Sequence, residues 1–320
     1  LMVQELNILT GDRYKKLYDA VEAIRQKIFP TFKADTTSTA RPLAVLIDSE
    51  DIMDSRLVGG KSFGLAALRR YFPKLVPPAF TLTTEAYRMF VKENGLNERI
   101  RMLINDLDVI KDQDLFNSRV ETLRSLFLKG TVPKTVCDLI SKHALQIDTE
   151  NSMLWAVRSS AVCEDDLFTF AGQFDTELNV CASDLKSVYK KILAGRFTDR
   201  AVRYRIHHGI REVDTHMAVL FMPMIEPDFS GVIYTNDPLN PASECMLVNA
   251  VPGLAHEMIQ GKKEADMFSL SREESPGLLN ETQALDSESR QPVYSTHPSE
   301  SVLKEIAGVS FKLAKMFGHD

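Results

Sequence analysis

The 320-residue chain has no run of eighteen apolar residues and no N-terminal pattern of charge followed by an apolar stretch. Neither a membrane-spanning helix nor a secretory leader is therefore expected. Cysteine is scarce: Cys137, Cys163, Cys181 and Cys245 are scattered, with no C-x-x-C pair and no histidine at metal-ligand spacing. That argues against a disulfide scaffold or a zinc module and for reduced thiols. A basic excess is missing too, since the formal charge is −6, and a dedicated nucleic-acid binder needs a basic face. No repeat recurs at a fixed period. The expectation is a soluble, cytoplasmic protein with no nucleic-acid or membrane partner.

What is present is ordinary for a globular protein, 44% hydrophobic and 26% charged residues, enough for one large or two average domains. Residues 13–29 carry Tyr14, Leu17, Val21, Ile24 and Ile28 at helical steps, and the polar run over 33–42 reads as a linker. Residues 1–40 are thus expected to be a helical extension with its linker, and residues 41–320 the main domain. Within it, LAVLI (43–47), MLWAV (153–157), QFDTELNV (173–180), MAVLFMPMI (217–225), SGVIYTNDP (230–238) and MLVNAV (246–251) read as strands. The spacing of 217–225 and 230–238 predicts an antiparallel hairpin between them. In 173–180, alternation places Phe174, Thr176, Leu178 and Val180 on one side. A Thr-capped helix ends at Gly95, two helical segments fill 98–146, and helical spacing returns over 184–207. The polar region 271–300 reads as a long loop or weak hairpin before a last helix. Helices and strands mix without strict alternation, which favours α+β over a doubly wound sheet.

The stretch VGGKSFGLAALRR (58–70) looks like a phosphate-binding loop entering a helix. The common NTPase pattern needs a glycine five residues before Gly60, where Ser55 stands, and adjacent Gly59 and Gly60 break the dinucleotide pattern. What remains is a flexible turn with Lys61 in a first helical turn, where a lysine by itself is more often a solvated surface charge. The run WAVRSSAVCEDDLFTFAGQFDTELNV (155–180) crowds polar groups at a strand end. Arg158 can present a fork to phosphate oxygens, with Ser159, Ser160 and amides near Gly172 as further donors; the other reading pairs Arg158 with Glu164 or Asp165. The acids Glu164, Asp165 and Asp166 more often cap or pair than hold a metal. Arg196, Arg200, Arg203, Arg205, His207 and His208 form a basic stretch, read as a solvated helical face.

Five blocks then occur in one order: GGK-S at 59–62, PPAFTLTTEAYRMF at 77–90, AVRSSAVCED with FAGQFDTELNV, RFTDRAVRYR at 196–205, and SGVIYTNDP. This order resembles the N-terminal nucleotide-binding domain of phosphoenolpyruvate synthase and pyruvate phosphate dikinase over roughly residues 45–320. The resemblance implies an ATP-grasp fold of two α+β subdomains with mixed or antiparallel sheets and flanking helices. At matching positions Lys61 and Arg158 resemble the basic residues at the ATP phosphates, and Gly172, Gln173 and Thr176 a mobile loop over them. Met222 stands where relatives carry a glutamine near the adenine; Met222 and Met224 could pack on that ring or serve the core. It also implies transfer of a phosphoryl group to a histidine on a swivelling domain and on to pyruvate in a further domain. None of the seven histidines has the phosphocarrier context, so the chain is expected to be one domain of a longer phosphotransferase, inactive alone. Magnesium should accompany ATP, with its main ligands beyond residue 320, where the family's acidic pair and Gln-x-Arg strand would fall. The Gly-Leu-Gly-Glu motif is altered here to Gly253-Leu254-Ala255-His256-Glu257. Two alternatives stay open: a catalytically impaired nucleotide-binding module, and a related phosphotransferase with an antibiotic or glucan acceptor.

Overall fold

The computed structural model describes residues 41–317 with residues 13, 14 and 17, apart from residues 106, 108, 109, 111, 163–175, 209, 211–215, 239, 241, 286–292 and 295. Most of the helix expected over 13–29, the acids 164–166, and Gly172 and Gln173 lie outside the described residues. The chain divides into two compact units, Leu1–Met224 and Ile225–Asp320.

The first unit is built on a five-stranded antiparallel sheet, ordered β1-β2-β5-β3-β4. Its strands are β1 (Ala44–Leu46), β2 (Phe80–Leu82), β3 (Trp155–Ala161), β4 (Thr176–Val180) and β5 (Met217–Pro223). Helix α1 (Ser55–Tyr71) precedes β2. Helices α2 (Thr84–Glu93), α3 (Asn97–Ile104), α4 (Gln113–Lys129) and α5 (Lys134–Ile147) precede β3, and α6 (Leu185–Ala194) and α7 (Asp199–His207) precede β5. The predicted cap holds, because the Thr83 hydroxyl accepts from Glu85 N at 3.2 Å, and Gly95 beyond α2 is left-handed at φ 61°. Three helices, not two, fill 97–147.

Alternation along the strands sends the two faces of this sheet to different cores. Phe80, Trp155, Val157, Val219 and Phe221 join the helices α2 and α4–α6 in the larger core, with Phe80 stacked on Phe221 at 4.7 Å. Each such fully buried side chain contributes about 2 kcal/mol. Leu220 of the opposite face packs with Leu57, Val58 and Ala66 of α1. Arg196 and Arg205 are buried in the larger core, with the Arg196 guanidinium 4.6 Å from the Tyr87 ring and Arg205 donating to the Arg196 carbonyl at 2.8 Å. Arg203 pairs with Asp199 and covers Phe116. The expected solvated basic face is therefore corrected: two of its arginines hold the fold from inside, their stems buried among aromatic rings.

The second unit is a four-stranded antiparallel sheet in sequence order, β6 (Phe229–Tyr234), β7 (Cys245–Pro252), β8 (Asp266–Ser271) and β9 (Leu278–Thr282). Met246, Val248, Phe268 and Leu270 on one face pack against Leu303 and Ala307 of the long helix α9 (Glu300–Phe317), and the short helix α8 (His256–Ile259) follows β7. Buried Asp266 accepts from Ala284 N and bonds the His297 ring, both at 2.8 Å. The sequence expectation of a β5–β6 hairpin fails: β2 and β3 occupy both edges of β5, and β6 pairs with β7. The short connection between these strands runs from one unit to the other instead. The polar region after Ser271 does contain a strand, β9, paired with β8.

Candidate functional site

Helix α1 is two helical segments joined at Gly59, whose φ of 72° and ψ of 169° no other residue type adopts readily. Lys61 thus sits in the first turn of the second segment, as the sequence predicts. A first turn has amide donors without helical acceptors. Here the cap position carries no side chain, and a hydroxyl from another element takes its place. Ser160 Oγ of β3 accepts from Ser62 N at 3.0 Å and donates to the Val58 carbonyl at 2.8 Å. The Ser62 hydroxyl in turn accepts from Thr81 of β2 at 2.9 Å. All three side chains are fully buried. A Cβ on Gly59 would lie 2.6 Å from Ser160 Oγ and closer still to its carbonyl oxygen, so the close approach requires glycine.

This clasp fixes the two cations that the sequence singles out. Arg158 and Ser160 are two residues apart on β3 and share its α1-covered face. Counting from Ser62 N to Ser160 Oγ and two residues along the strand, the Lys61 and Arg158 Cα atoms lie within about 15 Å of each other. Arg158 is partly buried, and its Nε is enclosed without a hydrogen-bond partner among the described residues. Thr176 is its direct partner on β4, and Leu220 its partner on β5. Thr176 is exposed and stands beside the arginine at the sheet's far edge.

Two expectations about this region change. The Ser160 hydroxyl is committed to Val58, and Ser159 points into the larger core on the opposite face, so neither is a free donor beside Arg158. Thr176 and Val180 do not share a side of β4. Its register to β3 shifts between the Trp155–Val180 and Val157–Glu177 pairs, where Asn179 takes a left-handed φ of 57°, and one extra residue reverses the parity of every side chain beyond it. Met222, opposite Ala156 on β5, packs against the apolar cluster beneath α1. Met224 anchors through its backbone, its amide donating to the Leu154 carbonyl at 2.8 Å.

Periodicity and spacing carry no sign of the buried Ser62–Thr81–Ser160 network, since three small hydroxyls far apart in sequence have no pattern of their own. Only the glycine pair hinted that something must approach the chain there. Among the described residues no group of three or more His, Cys, Asp or Glu side chains could hold a metal ion. Among them, too, no helix is long and apolar enough to cross a membrane. The arrangement offers two cations on a rigid frame, suited to neutralising a polyanion.

The family model described as "Pyruvate phosphate dikinase, AMP/ATP-binding domain" matches residues 55–310. A "Probable phosphoenolpyruvate synthase" of Staphylothermus marinus is 33% identical over 237 residues, covering 72% of this chain and 28% of the relative. A "Rifampicin phosphotransferase" of Bacillus subtilis is 31% identical over 218 residues, 67% of this chain and 25% of the relative. A "Phosphoenolpyruvate synthase" of Aquifex aeolicus is 30% identical over 239 residues, 72% of this chain and 28% of the relative. The chain thus spans little more than a quarter of the length of these relatives.

Proposed function

Because the chain belongs to the pyruvate phosphate dikinase AMP/ATP-binding domain family, we propose that it binds ATP with the triphosphate at Lys61 and Arg158, as the nucleotide module of a phosphoenolpyruvate synthase-like phosphotransferase. The observation that carries this reading is the clasp of the Gly59 turn onto β3, which holds Lys61 near an arginine whose Nε lacks a partner among the described residues. Two fixed cations offset the crowded phosphate charge without reorganising as the reaction proceeds. By the family resemblance, Gly172, Gln173 and Thr176 would belong to a loop that covers the phosphates; of these, Thr176 stands opposite Arg158.

In this reading the bond from phosphorus to a bridging oxygen breaks as a bond forms to a histidine nitrogen on a separate swivelling domain. The nucleotide leaves with the electron pair, and its new charge is stabilised by Lys61 and Arg158. Magnesium is the expected companion of ATP; among the described residues no group of three or more His, Cys, Asp or Glu side chains would hold it. The final acceptor is pyruvate in the first reading. Relatives named for rifampicin match this domain as closely as those named for phosphoenolpyruvate, which supports an antibiotic as the second candidate.

Calorimetry with ATP tests the nucleotide reading. ATP should bind the 320-residue chain, and Lys61→Ala should weaken it about tenfold or more, the loss of one charge-assisted contact. An unchanged affinity in Lys61→Ala overturns the assignment.

A further inference from the structure

We propose that Ser160 is a positioning residue for the nucleotide site: a capping group supplied by β3 to the broken helix α1, which sets where Lys61 stands relative to Arg158. The inference rests on the nucleotide reading above and deepens it.

Helix breaks ordinarily leave two sets of backbone groups unpaired, the last carbonyls of one segment and the first amides of the next. A Ser, Thr, Asp or Asn at the break would satisfy the amides from its own side chain. Residue 59 cannot do so, being glycine. The volume its side chain would fill is taken by Ser160, whose single hydroxyl serves both sides of the break by donating to Val58 O and accepting from Ser62 N. Lys61 lies between those two contacts in the chain. Its backbone is therefore pinned on either side to one atom of the strand that carries Arg158 two residues earlier. The second clasp, from the Thr81 hydroxyl to the Ser62 hydroxyl, fixes the same turn to β2.

Such a network positions as well as stabilises, because it has few alternative arrangements. Every member is fully buried, so water does not readily replace a lost partner, and a Ser62 amide left unpaired there carries a desolvation cost. Lys61 carries its charge on a long flexible stem. With its backbone free to shift by even an ångström, the ammonium would sample many positions, and its attraction to a bound anion would be diluted.

The test has two parts on the 320-residue chain. Amide hydrogen exchange of Ser160→Ala should show the Ser62 amide exchanging at least tenfold faster, with the β3–β5 ladder amides unchanged; an unchanged Ser62 amide overturns the clasp whether or not nucleotide binds. Calorimetry with ATP on Ser160→Ala, Lys61→Ala and the double variant then tests positioning. Ser160→Ala should lose about tenfold in affinity alone and no more than about twofold further once Lys61 is gone. Additive losses mean that Ser160 supports the fold generally and overturn the positioning role. Should Ser160→Ala fail to fold, Thr81→Val, nearly isosteric, takes its place, with a loss of about threefold that again disappears in the Lys61→Ala background; a threefold loss that persists there overturns the proposal. A wild-type chain that binds no ATP overturns the nucleotide reading and the positioning role together, and is recognised before any substitution is made.

Discussion

Gly59 and Ser160 are 101 residues apart in sequence, yet the backbone of one sits so tightly on the other that a single added methyl group would lie 2.6 Å from the serine hydroxyl oxygen. This contact joins the lysine-bearing helix to the arginine-bearing strand.

Gly59→Ala should therefore be severely destabilising. A Cβ there meets backbone, which cannot swing aside, and the left-handed φ adds strain of its own, so a loss of about 3 kcal/mol or more is expected. Urea unfolding of the variant beside wild type measures it, and a loss under about 1 kcal/mol would show that the turn relaxes freely.

Arg158→Leu separates the two readings of this arginine. An arginine serving the fold as an ion-pair partner would lower the melting temperature when removed, whereas one held for a ligand leaves a buried Nε unpartnered and costs little or nothing to lose. The expectation is at least tenfold weaker ATP binding with a melting temperature equal to or above wild type. A fall of several degrees with unchanged ATP affinity would favour the structural role.

Met222→Ala should report core packing. The side chain lies against the Leu57, Val58 and Ala66 cluster, so its truncation should cost about 2 kcal/mol. Measured by denaturant unfolding, a cost near zero together with a large loss of ATP affinity would instead place Met222 against the base.

His143 gives the larger core a pH dependence. Burial disfavours its charged form, with the neighbouring Lys142 charge acting the same way and a Gln146 hydrogen bond opposing it in part, so its folded pKa lies below the ordinary value near 6.5. Below that value the unfolded chain takes up the proton more readily, so the contribution of this group is fully present above about pH 6.5 and is lost as pH falls. Melting temperatures at pH 7.5 and 5.5 should differ less in His143→Leu than in wild type; an identical difference would show that the ring titrates freely.

Much of the local structure was legible in the amino-acid order. The Thr83 cap and Gly95 stop bound their helix as read, and the apolar runs at 43–47, 153–157 and 246–251 mark real strands, because caps and periodicity act over a few neighbouring residues. Pairing was less legible. Nearness in sequence suggested that β5 should pair with β6, but the edges of β5 are filled by strands that arrive from far along the chain. One left-handed residue, Asn179, was enough to undo the alternation read in β4.

The same division holds at the site. The sequence alone determined that Gly59 and Gly60 make a turn, that Lys61 opens a helical turn, and that Arg158 lies on a strand, since each depends on backbone geometry within a few residues. Only the tertiary structure decided that Ser160 is spent on capping that turn, that Ser159 faces away, and that Thr176 stands opposite the arginine. These outcomes depend on which segments a buried hydroxyl or a sheet edge meets, and a chain folded in three dimensions chooses those partners by space and by the need to satisfy every enclosed polar atom.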